Sequence, residues 1–262
     1  MTGNKQIHQQ HWKKSISAYN LIKKGGPVTR QLQKLLFSLV SMVPENELST
    51  VFEVGCGQGA RLELIRSAYP KVFCAGSDIS SVAIKAAKKN YPDFSFFVDD
   101  IVASSLRKKY DLVLCLDVLE HIEDDELALR NIRKITRKYC IFSSIQGRMR
   151  PSEGPEGHIR NYGYEELIGK VKRANFAIEE VVEWGFPFYS PFYRDTLSQL
   201  SLLLAPKPSR KSKMKTEQRQ SKSLLDEWMP LFLSILGEPL YQLMNLNVKG
   251  KGDYIFILAK VK

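Results

Sequence analysis

Val51-Phe-Glu-Val-Gly-Cys-Gly-Gln-Gly59 carries a short apolar strand straight into a Gly-x-Gly-x-Gly turn, and the residues beyond it read as a helix to Tyr69. Glycines at this spacing let the backbone turn sharply and approach a ligand with no Cβ in the way. The helix that follows presents unpaired backbone N–H groups at the same place. The third glycine falls one residue early for the dinucleotide fingerprint, and Glu53 sets a carboxylate at the strand end. A pyrophosphate would be repelled there, whereas an ammonium group would be attracted.

Working outward from this turn, short apolar runs alternate with helical segments. Strands are expected at Lys71–Ala75, Phe94–Val98, Asp111–Leu116 and Tyr139–Ser143, with helices from Ser80 or Ser81 to Asn90 and from about Asp124 to Thr136. Such alternation predicts an α/β fold with a parallel sheet covered on both faces. A Gly/Pro-rich loop, 147–157, then leads to a helix (Tyr164–Asn175) and two further strands, Ala177–Glu183 and Gly252–Ala259, expected as an antiparallel pair. On the N-terminal side, helices over 5–24 and 28–43 are broken by Gly25-Gly26-Pro27. The organisation expected is a helical cap (1–44), a core (45–186 and 251–262), and a helical, basic insertion (187–250) serving as a lid or a surface-binding segment.

The acids at the strand ends describe a ligand. Asp78 closes the second strand 19 residues after Gly59, where a carboxylate reaches a ribose diol. Asp99-Asp100-Ile101 closes the third, where a carboxylate can accept from an exocyclic adenine amine. With Glu53 these residues suit adenine, ribose and a cationic amino-acid tail. The motifs Glu-x-Gly-x-Gly-x-Gly (53–59), Ser-Asp-Ile-Ser (77–80), Val-Asp-Asp-Ile (98–101) and Tyr-Asp-Leu-Val-Leu-Cys-Leu-Asp-Val-Leu-Glu-His-Ile (110–122) resemble those of class I S-adenosylmethionine-dependent methyltransferases, from about Val51 to Phe186. His158-Ile-Arg-Asn-Tyr-Gly-Tyr-Glu-Glu-Leu167, leading to Ala174-Asn-Phe176, resembles the family too, and Asp-Val-Leu-Glu-His resembles its quinone-biosynthesis branch.

The resemblance implies a Rossmann-like, seven-stranded, mostly parallel sheet with helices on both faces and an antiparallel last strand. It implies S-adenosyl-L-methionine as cofactor and S-adenosyl-L-homocysteine as product, with methyl transfer to an oxygen or nitrogen of a small, carrier-linked or lipid-linked metabolite. Gly55, Cys56, Gly57 and Gly59 would pass the methionine part, and Glu53 would organise the turn and the amino group. Asp78 would bind the ribose, Ile79 would cover the adenine, Asp100 and Ile101 would hold its edge, and Leu116 would lie beneath the sulfonium. Asp99 departs from the pattern, since many relatives carry a small residue there.

Methyl transfer from a sulfonium needs alignment first, and a base only where the acceptor arrives protonated. His158, following the 147–157 loop, is the candidate base; the alternative is that His158 or Arg160 positions substrate or caps the helix. Asp117-Val-Leu-Glu-His121 resembles a Glu-x-x-Glu-His set that binds magnesium in some relatives, which with His158 would make four ligands. The first acid is Asp here, and no metal is expected. His8 and His11 are assigned nothing. The aromatic string 184–193 reads either as the floor of a pocket or as core packing.

Composition bounds the rest. The chain has 262 residues, 44% hydrophobic and 26% charged, which excludes wholesale disorder, and no apolar run approaches a membrane span. The N-terminus lacks a signal-peptide pattern, and the four cysteines are too far apart in sequence for a zinc pair or redox dithiol, so a cytoplasmic protein with reduced thiols is expected. The +11 charge is concentrated at residues 1–44 (+7) and 207–222 (+6), leaving about −2 for the other 202 residues. A nucleic acid, an anionic membrane surface or an acidic substrate would each suit those segments. Residues 207–222 are expected to be mobile; Leu197–Leu204 and Leu224–Leu246 would form lid helices or rest peripherally on a membrane. RNA as acceptor is the less favoured reading because no RNA-binding module is recognised, and a methyltransferase fold used only for binding is a further alternative.

Overall fold

The computed structural model describes residues 27–151, 153–190, 195 and 248–262. The helix expected at 5–24, His8 and His11, the helices expected at 197–204 and 224–246, and the basic run 207–222 lie outside the described residues. Helix α1 (Pro27–Val40) precedes an alternating series: β1 (Thr50–Val54), α2 (Ala60–Ala68), β2 (Phe73–Asp78), α3 (Ser81–Asn90), β3 (Ser95–Val98), β4 (Tyr110–Leu116), α4 (Asp125–Ile135) and β5 (Thr136–Ile145). Helix α5 (Tyr164–Arg173) and strands β6 (Phe176–Trp184) and β7 (Tyr254–Val261) complete it.

The seven strands form one sheet in the order β3-β2-β1-β4-β5-β7-β6. The first five strands are parallel, and β7 lies antiparallel to both β5 and β6. Strand β4 is buried at every position: Leu112–Leu116 is an apolar run suited to the centre of a two-sided sheet, and buried Asp111 accepts from Thr50 N at 2.9 Å and from Arg137 at 2.7 Å. Helices α4 and α5 cover one face through Leu129, Ile132, Leu167 and Val171. Helices α1, α2 and α3 cover the other through Leu39, Leu62, Ile65 and Ile84. Residues 27–40 of the expected N-terminal cap are thus a layer helix, whose Leu39 and Val40 join the core cluster that also contains Phe256 and Leu258 of β7.

Of the boundaries that differ from the sequence expectation, those of β2 and β5 differ most and bear on the site. Strand β2 begins at Phe73 and runs to Asp78, carrying that acid to the strand's very end. Strand β5 starts at Thr136 rather than Tyr139 because the Thr136 hydroxyl donates to Ile132 O at 2.7 Å, closing α4 and releasing the chain directly into the sheet. The polar Thr-Arg-Lys start had the composition of a helix end.

Chain order reverses between β1 and β4, which are hydrogen-bonded neighbours. The loops leaving their carboxyl ends therefore splay apart and open a crevice, where doubly wound sheets bind ligands.

Candidate cofactor and acceptor site

The glycine turn lines one side of this crevice. Gly55, Gly57 and Gly59 have φ of 68°, 54° and 84°, the left-handed region that side chains disfavour. A Cβ at Gly55 would also lie 2.4 Å from Val118 Cγ2, so the turn is fitted to the β4 loop across from it. Cys56 is buried against Gly76, where any Cβ would meet its Sγ at 2.9 Å, and burial raises its thiol well above the ordinary range.

Asp78 ties the turn to β2. Its Oδ2 accepts from Gly57 N at 2.9 Å and its Oδ1 from Ser80 N at 2.8 Å, while Cys56 N donates to Ser77 O. Burial raises the Asp78 pKa, and these two backbone donors oppose the rise. One lone pair of each carboxylate oxygen is used by the backbone, which leaves acceptor capacity for a vicinal diol.

Glu53 is 1% exposed at the end of β1. Its Oε1 accepts from Arg61 at 3.3 Å, whereas its Oε2 is buried with no hydrogen-bond partner. Burial pushes its pKa up to about 7 even though the Arg61 guanidinium pulls the other way; Asp78 and Asp117 add to the rise. A buried carboxylate oxygen left over at a crevice calls for another donor, and an ammonium group answers best. Asp117, at φ 56° just past β4, accepts from Arg61 at 3.1 Å and from the Ser143 hydroxyl at 3.0 Å.

The remaining expected contacts are distributed unevenly. Ile79 is half-buried beside Asp78. Asp100 is exposed, and its Oδ1 accepts from Val102 N at 3.0 Å, closing its own turn. Half-buried Asp99 instead has an enclosed Oδ2 without a partner and a pKa raised by burial. Ile101 spends its side chain in the core, and its carbonyl accepts from Asn131 Nδ2 at 2.8 Å. Leu116 is buried in the core cluster on the α1–α3 face.

On the other side of the crevice stand residues from the β4 and β5 loops. Glu120 is fully buried, with neither carboxylate oxygen in hydrogen-bonding geometry, and burial raises its pKa to about 8, with Asp117 contributing. His158 is 8% exposed, its Nδ1 buried without a partner and its Nε2 4.0 Å from Glu156. Its ring meets His121 edge-on, centroids 4.6 Å apart. Glu120, His121 and His158 offer ligand atoms within 4.8 Å of one another, a donor set suited to a borderline divalent cation. Asp117, the fourth residue of the expected set, is turned away to Arg61 and Ser143.

The His158 segment is held from below. Asp125 accepts from Tyr162 Oη at 2.7 Å, Lys170 Nζ at 2.8 Å and Arg160 at 2.9 Å, which keeps its carboxyl below the usual range despite burial. Ile159 N donates to Glu120 O at 3.0 Å, fixing the chain beside His158. Arg160, considered above as a substrate contact, is therefore engaged in this cluster. Sequence reading passed over Arg61 and Asp125; the one available signal was the position of Arg61 two residues beyond the glycine turn.

The chain is a doubly wound α/β domain with a glycine turn and a strand-end acid on each side of its switch point, the place where such sheets bind ligands. Residues 52–142 match the family described as a methyltransferase domain. The malonyl-[acyl-carrier protein] O-methyltransferase of Bacillus anthracis is 22% identical over 131 residues, 49% of this chain and 48% of that protein. The ubiquinone biosynthesis O-methyltransferase of Nitrosomonas europaea is 28% identical over 104 residues, 37% of this chain and 43% of that one. The chain thus spans less than half the length of these relatives. Magnesium protoporphyrin IX methyltransferase from Synechocystis PCC 6803, solved with bound S-adenosylhomocysteine, superposes with a TM-score of 0.58 at 19% identity, over 71% of this chain and 95% of that one.

Proposed function

We propose that this protein transfers a methyl group from S-adenosylmethionine to an oxygen or nitrogen of a small or carrier-linked metabolite. The observation that carries the reading is the buried, unpartnered Oε2 of Glu53, set between the glycine turn and Asp78. That arrangement asks for a cation and a diol on one ligand. The names of the relatives support oxygen acceptors and carrier-linked acyl chains.

When bound, the cofactor supplies a methyl group on a sulfonium that departs as a neutral thioether. The chain's own residues then have three tasks. Glu53 and the glycine turn hold the amino-acid tail, Asp78 holds the ribose, and Asp99 or Asp100 takes the adenine edge. His158 Nδ1, buried without a partner on the acceptor side, accepts the proton of the attacking hydroxyl or amine. The Asp125 cluster and the Ile159–Glu120 bond keep the imidazole in place, so alignment is built in before the acceptor arrives.

No helix among the described residues is long and apolar enough to cross a membrane. A cytoplasmic site of action, with peripheral membrane contact through the basic insertion, belongs to this proposal. Isothermal titration with S-adenosylmethionine and S-adenosylhomocysteine tests it: micromolar binding weakened about 100-fold by Asp78→Ala is expected, and a folded wild-type protein that binds neither ligand overturns it.

A further inference from the structure

Three acids face the crevice where the amino-acid tail would lie: Glu53, Asp78 and Asp117. They suit the ammonium group of that tail but oppose its carboxylate, which would otherwise approach a surface of its own sign. Arg61 is the cation that pulls hardest on Glu53. It sits on the first turn of α2, directly after the glycine turn. Its NH1 reaches Glu53 at 3.3 Å and its NH2 reaches Asp117 at 3.1 Å.

Both contacts are longer than the ~2.7–2.9 Å of a close charged pair, so the guanidinium bridges the two acids without seating fully on either. Its side chain is 39% exposed while that of Glu53 is 1% exposed, so it spans from the buried strand end to the open crevice. The planar fork of a guanidinium matches a carboxylate bidentately. With both acids ionised, the trio carries one net negative charge, and adding a zwitterionic tail requires each of the tail's charges to find its opposite.

We propose that Arg61 receives the α-carboxylate of the cofactor's amino-acid tail, and that before the ligand binds it stands in for the ammonium group at Glu53. On entry the ammonium takes Glu53. Arg61 keeps Asp117 and turns its fork to the carboxylate. Arg61 is thereby a specificity residue, selecting ligands that carry both charges. The proposal rests on the reading of the crevice as an S-adenosylmethionine site.

The test compares three ligands on the full chain by isothermal titration: S-adenosylmethionine, its decarboxylated form (ammonium kept, carboxylate lost), and 5′-methylthioadenosine (both lost). The wild type is expected to prefer the first over the second by about tenfold or more, the scale of a charge-assisted hydrogen bond. Arg61→Gln should weaken S-adenosylmethionine by about the same factor and leave the decarboxylated form within about twofold. Arg61→Lys should fall between the two. Unchanged 5′-methylthioadenosine affinity in each variant shows that the nucleoside site is folded. Equal weakening of the charged ligands would make Arg61 a prop for Glu53 alone and overturn the proposal, as would no weakening at all. A wild type that binds none of the three overturns the cofactor reading itself.

Discussion

Glu53 and Glu120 are both fully buried glutamates, one at the end of β1 and the other just past its neighbour β4, yet their surroundings differ. Glu53 has a guanidinium at 3.3 Å and a pKa near 7; Glu120 has two imidazoles nearby, an acid at Asp117, and a pKa near 8. The first lies in a contiguous stretch of chain that folds into its own binding turn. The second sits among side chains gathered from the β4 loop and the segment after β5. The contrast separates a buried carboxylate held by a guanidinium through one oxygen from one that shares its surroundings with two imidazoles.

The largest effect that would sharpen this division is kinetic. His158→Ala should lower kcat about 1000-fold while S-adenosylhomocysteine affinity stays unchanged. A parallel loss of cofactor affinity would place His158 on the wrong side of the crevice. Asp78→Ala should do the reverse, weakening S-adenosylhomocysteine about 100-fold through the loss of two charge-assisted bonds to the ribose. Steady-state turnover and equilibrium titration of the two variants, side by side, check both expectations.

The two glutamates should also respond to amidation, one in stability and the other in binding. A carboxyl whose pKa is raised on folding contributes stability that is present below its unfolded value, near 4.5, and is lost as pH rises through the folded value. For Glu120 that window runs from about 4.5 to about 8. Glu120→Gln should therefore stabilise the protein by about 4 kcal/mol at pH 8 and by less than about 1 kcal/mol at pH 5, read by urea unfolding at both pH values. A variant destabilised at pH 8 would show that the carboxylate has a cation partner there.

For Glu53 the same logic appears in binding. S-adenosylmethionine affinity should fall up to about tenfold per pH unit below 7 as Glu53 gains its proton, and the slope should vanish in Glu53→Gln. A pH-independent wild type would remove Glu53 from the ammonium site. The smallest expected effect concerns metal: treatment with EDTA should leave turnover unaltered. A loss restored by zinc or manganese would convert Glu120, His121 and His158 into a working metal centre.

Much of the fold was legible in the chain. The apolar runs at 51–54, 94–98 and 111–116 fall on β1, β3 and β4, and the antiparallel closing strand follows from the break in strand–helix rhythm. The boundaries of β2 and β5 were less so. One is set by its pairing with β1 and the other by a single threonine hydroxyl. Within the site, the glycine turn and Asp78 are near in sequence and were read together. Asp100 shows what sequence spacing leaves open, since it lies exposed and closes its own turn while Asp99 faces inward.

By itself, then, the sequence determined the layers of the domain and the location of its ligand crevice, because burial periodicity and glycine turns are written in adjacent residues. Only the tertiary structure decided the charge pairing. Arg61 meets Asp117 across 56 residues because β1 and β4 are neighbours at the point where strand order reverses. His121 meets His158 because Asp125, Tyr162 and Lys170 fasten the loop after β5 to α4 and α5. Coulomb interactions and hydrogen bonds depend on distance through space, and at the carboxyl ends of parallel strands that distance is set by strand order rather than by separation along the chain.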